Sequence, residues 1–124
     1  MDADGDVEKF WKEREARTGA PVSFRSYAVF LGRPGEDKMS QSGVLYISGN
    51  YIYFENVEGR NFWGSLFGGK ASSREHFEFR IPIDEIDHHE IFSFRSRRGC
   101  RIVLNTGDEY SFEVLDLKGF LARL

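Results

Sequence analysis

The chain has 124 residues, 30% of them charged, and a formal net charge of -3. That length gives one domain able to bury a core without disulfides, and the charge balance excludes the global basic field that draws a whole protein onto nucleic acid, so any anion binding is local. Cys100 is the single cysteine, which rules out an internal disulfide and a zinc site built on two thiolates, and suits a reducing compartment, with the cytoplasm as the expected location.

The first ten residues, MDADGDVEKF, are acidic where a signal peptide would be basic and then apolar. No run approaches the roughly 18 consecutive apolar residues of a spanning helix. The expectation is a chain neither secreted by that route nor inserted across a bilayer. Residues 6–16 place Val7, Phe10 and Trp11 at helical spacing among charges, which predicts a short amphipathic helix stopped by Gly19, Ala20 and Pro21. Because two adjacent aromatics are costly to leave in water, that helix is expected to dock through Phe10 and Trp11. Residues 22–32 carry Phe24, Tyr27, Val29 and Leu31 in a mostly extended pattern, and a turn-rich loop follows. Two β-rich runs, Val44 to Ser48 and Tyr51 to Asn56, are joined by Gly49 and Asn50, a tight hairpin signal.

After a long loop, Phe77, Phe79 and Ile81 alternate with Glu78 and Arg80, and Pro82 should end the strand or place it at an edge. Residues 86–96 and 100–105 flank Arg97, Arg98 and Gly99, which read as another hairpin turn. Tyr110, Phe112 and Val114 share the face of a further strand. Leu117, Phe120, Leu121 and Leu124 then fall at helical spacing behind a candidate cap, Asp116. The expected order is a helix, seven strands and a closing helix. Val44, Tyr46 or Leu45, Phe54, Phe79, Ile81, Ile102, Leu104, Phe112, Phe120 and Leu124 are expected in one continuous core. Both parities of the strand at 44–47 are apolar, so the choice between Leu45 and Tyr46 stays open. The sequence ends inside an apolar helical pattern with no C-cap, as a segment cut from a longer chain would.

Gly43, Leu45, Tyr46, Ile47, Ser48 and Phe54, then Ile81, Pro82 and Ile86, then Ile102, Leu104, Thr106 and Phe112 before the last helix follow an order that resembles the GRAM domain, a branch of the pleckstrin-homology-like (PH-like) superfold. The resemblance covers roughly residues 40 to 124. It implies a mainly β fold, a PH-like seven-stranded orthogonal sandwich or partly open barrel over residues 22–124, plugged by a C-terminal helix. Residues 1–21 would be a helical extension. It also implies membrane-lipid or protein binding as the usual work. The loop from Glu58 to Glu75 is longer than the usual family connection, and fold alone does not set function.

That loop holds the leading candidate site. Phe62, Trp63, Leu66 and Phe67 form an apolar tip, with Arg60, Lys70 and Arg74 around it. The pattern suits a wedge that meets an anionic membrane, a contact with a protein partner or a second copy, or a loop folded back over the sandwich mouth or the N-terminal helix. Arg95, Arg97, Arg98 and Arg101 form a second candidate, an anion patch, whose simpler reading is a solvated basic edge. His88 and His89 are the metal-like pair in residues 84–90, but neighbours on a strand point to opposite faces and no metal is expected there. His76 stands alone. Cys100 has no helix N-terminus or sequence-adjacent histidine to activate it, and neither a nucleophile elbow nor a phosphate-cradling loop occurs.

These observations predict a non-catalytic module without cofactor that recruits its protein to a protein partner or an anionic phospholipid surface. Its location would be cytoplasmic, with peripheral membrane attachment through the loop. A structural or self-association domain that binds no lipid is the alternative.

Overall fold

In the computed structural model the described residues are 3–32, 40–56, 78–94 and 97–124. The chain opens with α1 (Ala3–Thr18) and continues through β1 (Val22–Gly32), β2 (Gln41–Ser48), β3 (Tyr51–Glu55) and β4 (Glu78–Pro82). A single 3₁₀ turn (Ile83–Glu85) leads to β5 (Ile86–Phe94), β6 (Arg97–Leu104), β7 (Glu109–Val114) and α2 (Leu117–Leu121). The seven strands form one antiparallel sheet in the order β4-β3-β2-β1-β7-β6-β5. With β4 and β5 both at edges, the sheet is not closed into a barrel. This mainly β architecture with a helix at each end fits a PH-like sandwich.

Local chemistry accounts for most boundaries. α1 begins earlier than residue 6 and ends at Gly19, whose φ of 79° gives the left-handed C-cap and whose N–H donates to the Glu15 carbonyl at 2.9 Å. Gly49 turns β2 into β3 with a φ of 59°. Pro82 ends β4 on an edge, as its missing donor requires. Asp116 caps α2 by accepting from the Gly119 N–H at 3.0 Å.

The expected turn at Arg97, Arg98 and Gly99 is corrected: all three belong to β6, paired with Phe94, Ser93 and Phe92. Gly99 is there for space. A side chain on it would strike the Phe92 ring and the Phe112 carbonyl. Gly43 serves β2 in the same way, because a side chain there would collide with the backbone of Glu55 and Asn56.

The inner face of the sheet wraps the main core, which gathers Phe24, Phe30, Leu45, Phe54, Ile81, Ile102, Leu104, Phe112 and Phe120, with Phe79 and Leu124 packed against it. Its centre is aromatic. Phe30 and Phe79 lie 4.9 Å apart between ring centroids, Phe79 and Tyr110 5.2 Å, and Phe30 and Phe112 5.3 Å. At the other end Phe120 of α2 meets Phe24 at 5.8 Å.

Val44 and Tyr46 do not join this core. They form a second cluster with Trp11 on the outer face, with Val7, Phe10, Val22 and Tyr53 packed around it. The open choice at 45 and 46 thus resolves as both: Leu45 faces in, and Tyr46 faces out under α1. A bulge between Val22 and Phe24 lets β1 serve both clusters, since two residues advance there against one on β2 and the next side chain changes face. α1 is therefore packed into the fold, docked by Trp11 and Phe10 as the sequence predicts.

Phe112 is fully buried at the meeting point of the aromatic rings. Phe112→Ala should cost about 3–5 kcal/mol in urea denaturation. A loss below about 1 kcal/mol would remove Phe112 from the centre of the core.

Candidate functional site

The polar chemistry of the described residues concentrates where α1 crosses the sheet. Arg14 and Arg17 lie three apart on α1 and so project to the same side. They meet Glu55 at the end of β3, a carboxylate with 1% exposure. Arg14 grips it with two bonds, Nε to Oε2 at 2.5 Å and Nη2 to Oε1 at 2.7 Å. The Tyr46 hydroxyl donates to Oε2 at 2.7 Å, and Arg17 reaches the same oxygen at 3.2 Å and Glu78 of β4 at 3.0 Å. Burial by itself pushes the Glu55 carboxyl upward; hydrogen bonds from Arg14 and Tyr46 and the two guanidinium charges outweigh it and hold it below the ordinary carboxylate value. Burial also raises the Tyr46 phenol, and the neighbouring carboxylate raises it further.

Around this pair of ions Arg14 lies 4.1 Å from the Phe10 ring centre, and Arg25 lies 5.0 Å from that of Trp11. Below α1, Thr18 Oγ1 and Ser48 Oγ are 2.6 Å apart, and Glu15 accepts from the Val22 N–H at 2.7 Å. These groups are occupied in holding α1 to the sheet. Cys100 is fully enclosed by the core, and burial pushes its thiol up to about 11, which leaves it unreactive.

α1 covers only part of the outer face. Beyond it, Tyr27, Val29 and Leu31 continue along the outward side of β1, with Tyr27 44% and Leu31 37% exposed. The strip runs into a groove of about 620 Å³ whose lining includes Tyr27, Val29, Leu115 and Leu117, with Arg98 and Lys118 among its charged residues. Leu115, at the turn from β7 into α2, is 80% exposed. This is an apolar strip beside a groove that carries two cations, Arg98 and Lys118, and two carboxylates, Glu113 and Asp116. Another recess, of about 680 Å³, lies between α1 and β1, but Glu15 and Arg25 in its wall already serve contacts that hold the helix.

The sequence-predicted site residues fall unevenly on this frame. Arg60, Phe62, Trp63, Leu66, Phe67, Lys70 and Arg74 lie outside the described residues, as do His76, Phe77 and Arg95. Arg98 is exposed beside the groove. Arg101, on the interior strand β6, turns to two carboxylates instead, Glu90 at 3.4 Å and Glu109 at 3.5 Å. His88 pairs with Val103 and His89 with Ile102, on opposite sides of the sheet; among the described residues no cluster is placed to hold a metal. The Tyr27 strip is absent from the sequence-level candidates. Its signal is that both parities of β1 are apolar, Phe24, Ala28 and Phe30 on one side and Tyr27, Val29 and Leu31 on the other.

No protein-family model matches the chain, and no curated protein matches it in sequence. Among solved structures the chain is similar to the C-terminal domain of an unknown protein from Leishmania infantum, with a TM-score of 0.62 at 13% identity, covering 94% of this chain and 92% of that one. At that identity the likeness concerns the fold alone.

The Glu55 cluster sets an acid limit. A carboxyl held below its usual 4.5 contributes in full above that value, and the contribution is lost as pH falls through the lowered folded value. Glu55→Gln should cost roughly 3 kcal/mol at neutral pH, because it leaves Arg14 part-buried without its counter-charge. The gap to wild type should then narrow on acidification below about pH 4. Denaturation midpoints followed from pH 7 to pH 2.5 check this, and parallel curves for the two proteins would contradict it.

Proposed function

We propose that the chain is a non-catalytic PH-like binding module of the GRAM type, which recruits the protein carrying it to a protein partner. The observation that supports this reading is the uncovered half of the outer face. Tyr27, Leu31 and Leu115 are left in water on the sheet, next to a groove whose lining carries Arg98, Lys118, Glu113 and Asp116. Exposed aromatic and aliphatic anchors ringed by polar groups are the usual makings of a protein contact. The ionisable groups Glu55, Tyr46, Arg14 and Arg17 are engaged with one another, and Cys100 is sealed in the core. This supports binding over catalysis.

A second reading, docking to an anionic membrane, rests on the sequence of the connection between β3 and β4, where Phe62, Trp63, Leu66 and Phe67 sit among Arg60, Lys70 and Arg74. Its contribution would weaken steeply with salt, whereas an apolar protein contact is less sensitive.

Both readings are separable in solution. Tyr27→Ser combined with Leu115→Ser alters exposed side chains, so the melting temperature should stay close to that of wild type. Proteins recovered reproducibly with the wild-type chain should bind the double variant about 30-fold more weakly or worse. An undiminished partner set would overturn the docking face. Co-sedimentation with phosphatidylcholine vesicles, with and without phosphatidylserine, covers the other case. Salt-sensitive binding that requires phosphatidylserine and disappears in Trp63→Ser/Phe67→Ser would replace the protein partner with a membrane.

A further inference from the structure

The two edges of the sheet are built differently. β4 is five residues long, ends at Pro82, and carries Glu78 and Arg80 on its outward side, with Glu78 held by Arg17. Short length, proline and charge are the ordinary defences of an edge strand. β5 is nine residues long and contains neither proline nor lysine. Among the described residues its strand neighbour is β6 alone. Its defences, a bulge between Ile86 and His88 and the carboxylates Asp87 and Glu90, lie in its first half. The second half, from Ile91, reads IFSF, a segment of high β-propensity. Ile91 pairs with the buried Cys100 and so faces the core side of the sheet, yet it remains 48% exposed. An apolar residue on the inward side of a sheet, half in water at an open edge, marks a place where another strand can add.

The sequence of β5 points to which strand fits. In an antiparallel pair of identical strands that keeps inward side chains facing inward, the two-fold axis passes through one residue, and that residue opposes itself. An axis at Glu90 would set carboxylate against carboxylate, which is destabilising. An axis at His89 would set Ile91 against Asp87. With the axis at Ile91, Ile91 meets Ile91, Glu90 meets Phe92 and His89 meets Ser93, so no like charges oppose and the two exposed isoleucines cover each other. We propose that β5 pairs antiparallel with β5 of a second copy of this chain, centred on Ile91, to form a homodimer whose sheet runs continuously across both copies. This surface lies on the β5 edge, apart from the β1 and β7 strip assigned to the partner, so the two contacts stand or fall separately.

The test uses the full chain. Sedimentation equilibrium should show a reversible monomer-dimer system, and Ile91→Lys should weaken it by roughly tenfold or more, since it sets two ammonium groups opposite each other. Ile91 is half exposed, so circular dichroism and melting temperature should be retained once dimerisation is allowed for. In a Cys100→Ala background, which removes the thiol paired with Ile91 across β5 and β6, Ile91→Cys should form an intermolecular disulfide under mild oxidation, because directly opposed strand residues have Cβ atoms about 4.5–5.5 Å apart. Asp87→Cys, displaced from the axis and so not opposite its own copy, should not. A wild-type chain that stays monomeric at about millimolar concentration, corresponding to less than about 4 kcal/mol of association, would overturn the proposal. So would a dimer indifferent to Ile91→Lys, or an Ile91→Cys/Cys100→Ala variant that fails to cross-link.

Discussion

Glu55 is a charge with almost no access to water, and the placement of α1 depends on its being neutralised. An isolated carboxylate in such a position would cost several kcal/mol or take up a proton. Arg14 meets it with a two-pronged fork, Tyr46 adds a hydroxyl, and Arg17 ties the same oxygen to the neighbouring strand through Glu78. A helix shifted by one residue would rotate Arg14 about 100° away from Glu55 and strand the carboxylate. Directional pairing of this kind need not stabilise the fold more than apolar packing would, because desolvation offsets much of the attraction. It specifies one position for α1, and the aromatic contacts follow from that. Trp11 then stands edge-on to Tyr46 with ring centroids 5.3 Å apart, and Tyr46 stacks on Tyr53 at 5.1 Å.

The division of the outer face is a consequence. The sheet curls around an aromatic core on its inner side, and α1 shields the outward side chains of β2 and the start of β1. Farther along β1, Tyr27, Val29 and Leu31 receive no such cover. An apolar strip is thereby left on a hydrogen-bonded strand of the sheet, where a partner can be bound without first ordering a loop. The opposite edge, β5, lacks the proline and short length that protect β4. Core, helix and open surfaces are thus consequences of one another.

Much of this was legible from residue order. The hairpin at Gly49 and Asn50, the edge at Pro82, the cap at Asp116 and the inward set around Phe112 are all local patterns, and local patterns survive without knowledge of the rest of the chain. Both sides of 44–47 are apolar, and both are covered, by the main core on one side and by α1 on the other. The ion cluster was not legible, because Arg14 and Glu55 are separated by 41 residues and an arginine on a charged helix looks like any solvated side chain. Gly99 misled for a physical reason. Glycine is freest in turns, but here it is required by close packing against Phe92 inside a strand, and sequence does not distinguish the two uses. Tyr27 and Leu31 were visible as strand residues; their exposure depended on where α1 stops, which only the tertiary contacts decide.

Hydrogen exchange of the α1 backbone is the most direct test of the central claim that the Glu55 cluster makes α1 an integral part of the fold. If Arg14, Arg17 and Trp11 bind α1 into the same cooperative unit as β2 and β3, amides in the middle of α1 should exchange only through global unfolding. Their protection should then equal that of the slowest amides of β2 and fall in step with them when the protein is destabilised. Exchange of the α1 amides through a local opening, faster than β2 and insensitive to Glu55→Gln, would show that the helix detaches on its own and would contradict the account.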